Sequence, residues 1–314
     1  MMFAARCVGI SLALFVLLYV PISLVVLRGW EFLWRAVTPG SARGSADLLF
    51  ALRLLPFAAA LAFTFVFTLP SFLLLEPRST DEAVGTLPVM LGLCCLVLLI
   101  AGSIKTVSAQ IRTARALRQW LDGSTVMEPW AIVPVFRTGK DSPSLTVAGV
   151  REPKVLVSEA ALAALTPPEL RTALKHEMAH VRFYDNLKKL SFRFAVFPGM
   201  GALEHAWSEQ SELAADDAAV TCRGDALDLA AALIKLSRLG PCQPAAELAT
   251  GLLHSSTALS ARVQRLVSWE EKPSHARRWN FWYALPPAAA TCLVVATYSS
   301  ALAQLHELTE WLVR

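Results

Sequence analysis

LRTALKHEMAHVRFYD, residues 170–185, sets two histidines four positions apart with a glutamate directly after the first. On a helix, residues i and i+4 share a face, so His176 and His180 present two imidazoles to one point. Glu177 then stands beside them, placed to take a proton from an attacking water. This is the H-E-x-x-H pattern of zinc proteases. The helix it needs has its own start signal in Thr166-Pro167-Pro168-Glu169: a threonine N-cap, proline at the first helical position and glutamate at the third. A catalytic zinc site also needs a third protein ligand and one open position. SEQSELAADDAAV, 208–220, again reads as helix and places Glu212 and Asp216 four apart on one face, with Glu212 32 residues after His180. That separation suffices for a loop and an antiparallel return. The predicted metal ligands are therefore His176, His180 and Glu212, the predicted ion is Zn2+, and Glu177 is the predicted catalytic base. Asp216 is predicted to accept the outer N–H of a ligand histidine, fixing its tautomer. Glu209 and Asp217 read as an acidic outer face, and His205 as a packed or solvated histidine. No G-x-S-x-G stretch offers a nucleophilic serine.

Outward from the motif, AIVPVF (131–136), SLTVAGV (144–150) and KVLVS (154–158) are short β-rich runs, the last two separated by the turn REP. They predict a small sheet, and SLTVAGV is the candidate edge strand along which an extended substrate would lie. DALDLAAALIKLSRLG, closed by Gly240-Pro241, and ALSARVQRLVSW predict two further helices. Ile104, Val107, Ile111, Leu117 and Leu121 recur at helical spacing and extend a preceding apolar helix to Gly123.

The composition sets this polar region inside a membrane protein. Of the 314 residues 55% are hydrophobic and only 17% charged, which is too apolar for a typical soluble domain. The excess lies in blocks. Residues 7–27, 54–75 and 87–104 are each long and apolar enough to span a bilayer, and 283–303 is a weaker fourth span diluted by two prolines. FRFAVFPGMGALEHAW, 192–207, carries Arg193, Glu204 and a Pro-Gly break, and is expected to be buried or membrane-grazing rather than spanning. Arginines 28, 35, 43 and 53 follow the first span, and Lys105, Arg112, Arg115 and Arg118 follow the third. By the positive-inside rule the N-terminus is then outside and residues 105–280 are cytoplasmic. The six cysteines form no C-x-x-C pair, and a net charge of +4 without a basic run gives no sign of nucleic-acid binding.

VAGVREPKVLVSEAALAALTPPELRTALKHEMAHVRFYDNLKK, SELAADDAAV and LSARVQRL together resemble the core of the BlaR/MecR-type sensor-transducer metallopeptidases, most specifically over 145–220. The resemblance implies a mostly α membrane protein of about four transmembrane helices, with a cytoplasmic α+β gluzincin metallopeptidase domain between the third and fourth. Residues 1–104 would form the three-helix membrane domain, 105–280 the peptidase domain, and 281–314 the fourth span with a short external tail. It also implies the bacterial inner membrane, zinc ligands at His176, His180 and Glu212, Glu177 as base, Asp216 as outer partner, and an aspartate at Asp185 read as structural. The expected partners are the bilayer and a protein or peptide substrate, in that family a transcriptional repressor; a homodimer or a sensor partner stays open. The family's antibiotic-sensing members carry a penicillin-binding domain after the fourth span, for which no S-x-x-K or K-T-G motif is present. Quality-control peptidases of the HtpX type also combine HExxH with a later glutamate and aspartate, and form the alternative. A non-catalytic signalling scaffold is the third reading, disfavoured because a structural zinc site needs no base.

Overall fold

The computed structural model describes residues 2–36, 40–75, 85–127, 133–139, 142–239, 249–251, 256–270, 297–305 and 307. The chain is mostly helical with one small sheet, and it divides into two compact units. One comprises residues 1–29, 54–100 and 272–314; the other comprises 30–53 and 101–271.

The first unit is built from the apolar parts of long helices, which run on into the second: α1 (Met2–Ala36), α2 (Ala42–Phe63), a π-helical turn (Thr64–Thr68), α3 (Leu69–Leu75) and α4 (Thr86–Leu121). Three stretches, Phe3–Ala36, Ala42–Leu75 and Thr86–Leu121, are long and apolar enough to cross a membrane. In the second and third only 22% of the apolar window is buried within the protein, leaving side chains such as Leu74, Met90 and Val97 exposed. Apolar faces of that extent demand a lipid or protein cover. The π-turn has a cause in the sequence. Pro70 lacks an N–H and its ring crowds the carbonyl four residues back, which is Val66. Val66 O instead accepts a hydrogen bond from Tyr298 Oη at 2.8 Å. Residues 297–305 are helical, and Leu302 O accepts from Ser71 Oγ at 3.1 Å. Of the predicted fourth span, 283–296 lies outside the described residues.

The second unit holds a five-stranded sheet in the order β1-β2-β4-β3-β5: β1 (Thr125–Val126), β2 (Val135–Thr138), β3 (Leu145–Ala148), β4 (Lys154–Ser158) and β5 (Ala249–Gly251). Only β2 and β4 are parallel; the other pairs are antiparallel. Alternation along the strands feeds two cores. Val147, Val155 and Val157 face a cluster with Leu174, Leu229, Leu233 and Leu266, while Leu156 and Ala148 face Trp120. The middle of β4 is thus covered on both sides, and for that reason Val155, Leu156 and Val157 are apolar in succession. The predicted strand 131–136 begins only at Val135, and 131–132 lie outside the described residues. The predicted extension of α4 ends at Leu121, with Gly123 at φ +70°. Ile104, Val107 and Ile111 of its apolar stripe are exposed, and Trp120 carries the contact with the sheet.

The helices of this unit are α5 (Glu159–Ala164), α6 (Pro167–Arg182), α7 (Asp185–Phe194), α8 (Gly201–Ala219), α9 (Arg223–Arg238) and α10 (Ser256–Val267). α6 starts where Thr166-Pro-Pro-Glu predicts. The capping box is formed, with Thr166 N–H donating to Glu169 Oε2 at 2.8 Å, and Lys235 of α9 also donates to that carboxylate at 2.7 Å. The stretch 192–207 does not form one span. α7 ends at Phe194, the chain turns, and Phe192, Met200, Leu203 and Trp207 are buried, with the Phe192 ring edge-on to Trp207 at 5.0 Å.

Candidate metal centre

α6 and α8 pack together and bring the two motifs face to face. His176, His180 and Glu212 are all buried, and one ligand atom from each lies within 4.8 Å of the others. His176 Nε2 and His180 Nε2 are 3.1 Å apart, and the two Glu212 oxygens stand 3.5 and 3.6 Å from them. The edge of a tetrahedron with zinc–nitrogen bonds of usual length is roughly 3.3 Å. The three side chains could therefore hold a metal ion.

The outer side of each imidazole is taken by a carboxylate. Asp216 Oδ1 lies 3.0 Å from His176 Nδ1, and Asp185 Oδ2 lies 2.7 Å from His180 Nδ1. With His180 Nδ1 hydrogen-bonded outward and His176 Nδ1 facing Asp216, both Nε2 atoms point at the same place. Two lone pairs facing each other at that distance repel unless a proton or a cation stands between them, and this is the observation that fits the group to a metal. Burial disfavours the His176 imidazolium, but Asp216 and Glu212 outweigh it and lift the pKa to about 9. Glu212 is held well below the usual carboxylate range, because His180, His176 and Arg262 overcome the opposing effect of burial.

Glu177 is fully buried, and neither carboxylate oxygen has a hydrogen-bond partner among the described residues. Burial pushes its pKa up to about 7 against the pull of both histidines. An orphaned carboxylate with a near-neutral pKa beside a cation site is poised to exchange protons with a water in that site.

Three residues of the centre are not assigned these roles in the sequence. Arg262 of α10 donates through Nε and Nη2 to Asp216 at 2.8 and 2.7 Å, and its Nη1 lies 3.0 Å from Glu212 Oε2. Its signal was present: Arg262 sits between Leu259 and Leu266 on the apolar side of its helix, where an arginine is buried only if paired. Asp185, expected to be structural, is instead the outer partner of His180. It reaches that ring because Tyr184, at φ 55°, makes a left-handed corner between α6 and α7. Lys189, one turn beyond Asp185, is lowered by burial while Glu212, Asp185 and Glu177 oppose that effect. His205 lies outside the centre, two-thirds exposed and 3.9 Å from Glu209.

The predicted free edge is corrected. β3 is flanked by β4 and, on its other side, by β5, with Thr146 opposite Gly251 and Ala148 opposite Ala249. β5 is three residues of alanine, threonine and glycine, too short and too weak in β-propensity to be read as a strand. Comparison with models of known protein families and with curated proteins found no match to this chain.

Proposed function

We propose that the chain is a membrane-bound zinc endopeptidase of the BlaR/MecR type that cleaves a cytoplasmic protein, a transcriptional repressor or another regulator. The observation that carries this reading is Glu177: a buried, unpartnered carboxylate directly beside a buried His-His-Glu group. A structural zinc site has no use for such a group, and leaving it unpaired costs stability. The chemistry supplied by zinc when bound is polarisation of the attacking water and of the scissile carbonyl. The chain's own residues do the rest. Glu177 accepts the water proton on a carboxylate oxygen and later delivers it to the leaving amine. Asp216 and Asp185 hold the imidazoles with Nε2 inward, and Arg262 holds Asp216 while balancing the charge of Glu212. In this reading residues 283–303 complete a fourth span, the N-terminus is outside, the metal centre faces the cytoplasm, and the membrane is the bacterial inner membrane.

The test uses the full chain purified in detergent, measuring zinc content and cleavage of a proteome-derived peptide library. The wild type should carry one zinc and cleave. Glu177→Gln should keep the zinc and lose at least a factor of about a hundred in cleavage rate. Glu212→Ala should lose the zinc. Undiminished cleavage by Glu177→Gln would overturn the mechanism, and undiminished zinc in Glu212→Ala would overturn the ligand set.

A further inference from the structure

The inner half of α2 and the metal centre are joined by α7. Arg43, Asp47, Phe50 and Arg53 recur every three or four residues, so they form one face of α2. Each of them meets α7 or the residues at its ends. Arg43 lies over the Phe183 ring at 3.9 Å, and Asp47 accepts from Lys188 Nζ at 3.0 Å. The rings of Phe50 and Phe192 are 5.6 Å apart. Arg53, 3% exposed, donates to Ala195 O at 2.8 Å and Phe192 O at 3.4 Å, and through Nε to Glu204 at 2.8 Å.

The carbonyls that Arg53 takes are those a helix leaves without partners in its last turn. A second helix closes on the same turn. Gly102 of α4 fits so tightly there that a Cβ on it would collide with Phe194 O. α7 is about 15 Å long and rigid at that length. Its far end is Asp185, which orients His180, and the next residue, Asn186, ties it to the end of β3 by donating to Val147 O at 3.4 Å and to Gly149 O, just beyond the strand, at 2.9 Å. The helix is thus held along its length by α2 and at its C-terminal end by Arg53 and α4, and its first residue hydrogen-bonds a metal-site histidine.

We propose that Arg53 is a positioning residue for His180, acting along α7 through Asp185, so that the placement of α2 sets the affinity and geometry of the metal centre. The proposal rests on the assignment of His180 as a metal ligand. α2 is continuous through Arg53 into the stretch apolar enough to cross a membrane. A rotation or axial shift of that helix would therefore reach the metal centre without any ligand binding there. The residues concerned carry no reacting group, and their effect is on orientation.

The test measures zinc affinity of the full detergent-purified chain by chelator competition, and the visible absorption of its cobalt(II) form, which reports ligand geometry. Arg53→Gln leaves a polar amide but shortens the side chain and removes its charge and its fork of donors. It should weaken zinc binding about tenfold, the scale of an outer partner, and shift the cobalt bands. Arg53→Lys should recover part of both. Gly102→Ala, acting from the other helix, should weaken binding in the same direction. Lys235→Gln serves as the control for simple loss of stability, since Lys235 caps α6 through Glu169 away from α7. If Arg53→Gln does not fold, Arg53→Lys and Asp47→Asn carry the same readouts. Wild-type affinity and bands in the Arg53 and Gly102 variants, with Asp185→Asn impaired, would overturn the proposal and leave the metal centre standing. An affinity loss equalled by Lys235→Gln at matched melting temperature would also overturn it. If His180→Ala binds zinc like wild type, the ligand assignment itself falls.

Discussion

His176 and His180 differ from an ordinary helical pair in having a buried carboxylate within 3.0 Å of each outer nitrogen. The sites left for binding are the two inward Nε2 atoms, and in the metal-free chain the pKa of His176 is raised to about 9 by Asp216 and Glu212 against the effect of burial. A metal must displace that proton. Below pH 9 the protonated form competes, so apparent zinc affinity should rise about tenfold per pH unit and level off near pH 9. Calorimetry in buffers of different ionisation enthalpy should show close to one proton released per zinc at pH 7. Affinity independent of pH over 6–8, with no proton released, would overturn the raised pKa of His176.

At the scale of the element, α10 shows how one helix carries two arginines with opposite worth. Arg262 is 5% exposed and shared between Asp216 and Glu212; Arg265, one turn on, pairs with Asp217 at the surface. Removing Arg262 takes the guanidinium away from two buried carboxylates, a loss of about 3–5 kcal/mol. Removing Arg265 breaks an exposed pair worth up to about 1 kcal/mol. Arg262→Ala should therefore lower the melting temperature of the metal-free chain by about 10 °C, and Arg265→Ala by a few degrees at most. Arg262→Lys should recover part of the loss, since an ammonium supplies the charge without the fork of donors. Equal melting of the two alanine variants would show that Arg262 is not paired as placed. The start of α6 was legible in residues 166–169, because a cap is a local interaction among neighbours in sequence. β5 was not legible, because its partner lies a hundred residues away and its own residues carry no pattern.

For the molecule as a whole, the division into an apolar unit and a polar one yields a topology test with a native probe. Cys222 is exposed on the unit that holds the metal centre. With that unit in the cytoplasm, a membrane-impermeant maleimide should label Cys222 only after the cells are opened. A cysteine introduced by Ser79→Cys, between the second and third apolar helices, should label in intact cells. The reverse pattern would invert the orientation inferred from Arg28, Arg35, Arg43 and Arg53.

Taken alone, the sequence determined the three long apolar helices, the start of α6, and the five residues His176, Glu177, His180, Glu212 and Asp216. Each depends on periodicity or capping within one helix, and helical geometry relates near neighbours by a fixed rule. Tertiary structure alone decided which groups surround those five. Arg262 reaches Asp216 across 46 positions, β5 covers β3, and Arg53 meets the end of α7 more than 130 positions away. Asp185 belongs with them although it stands only five residues from His180, because the left-handed corner at Tyr184 turns it back onto that ring. Such contacts follow from how packed surfaces fit and from the need to pair every buried charge. No local spacing encodes either.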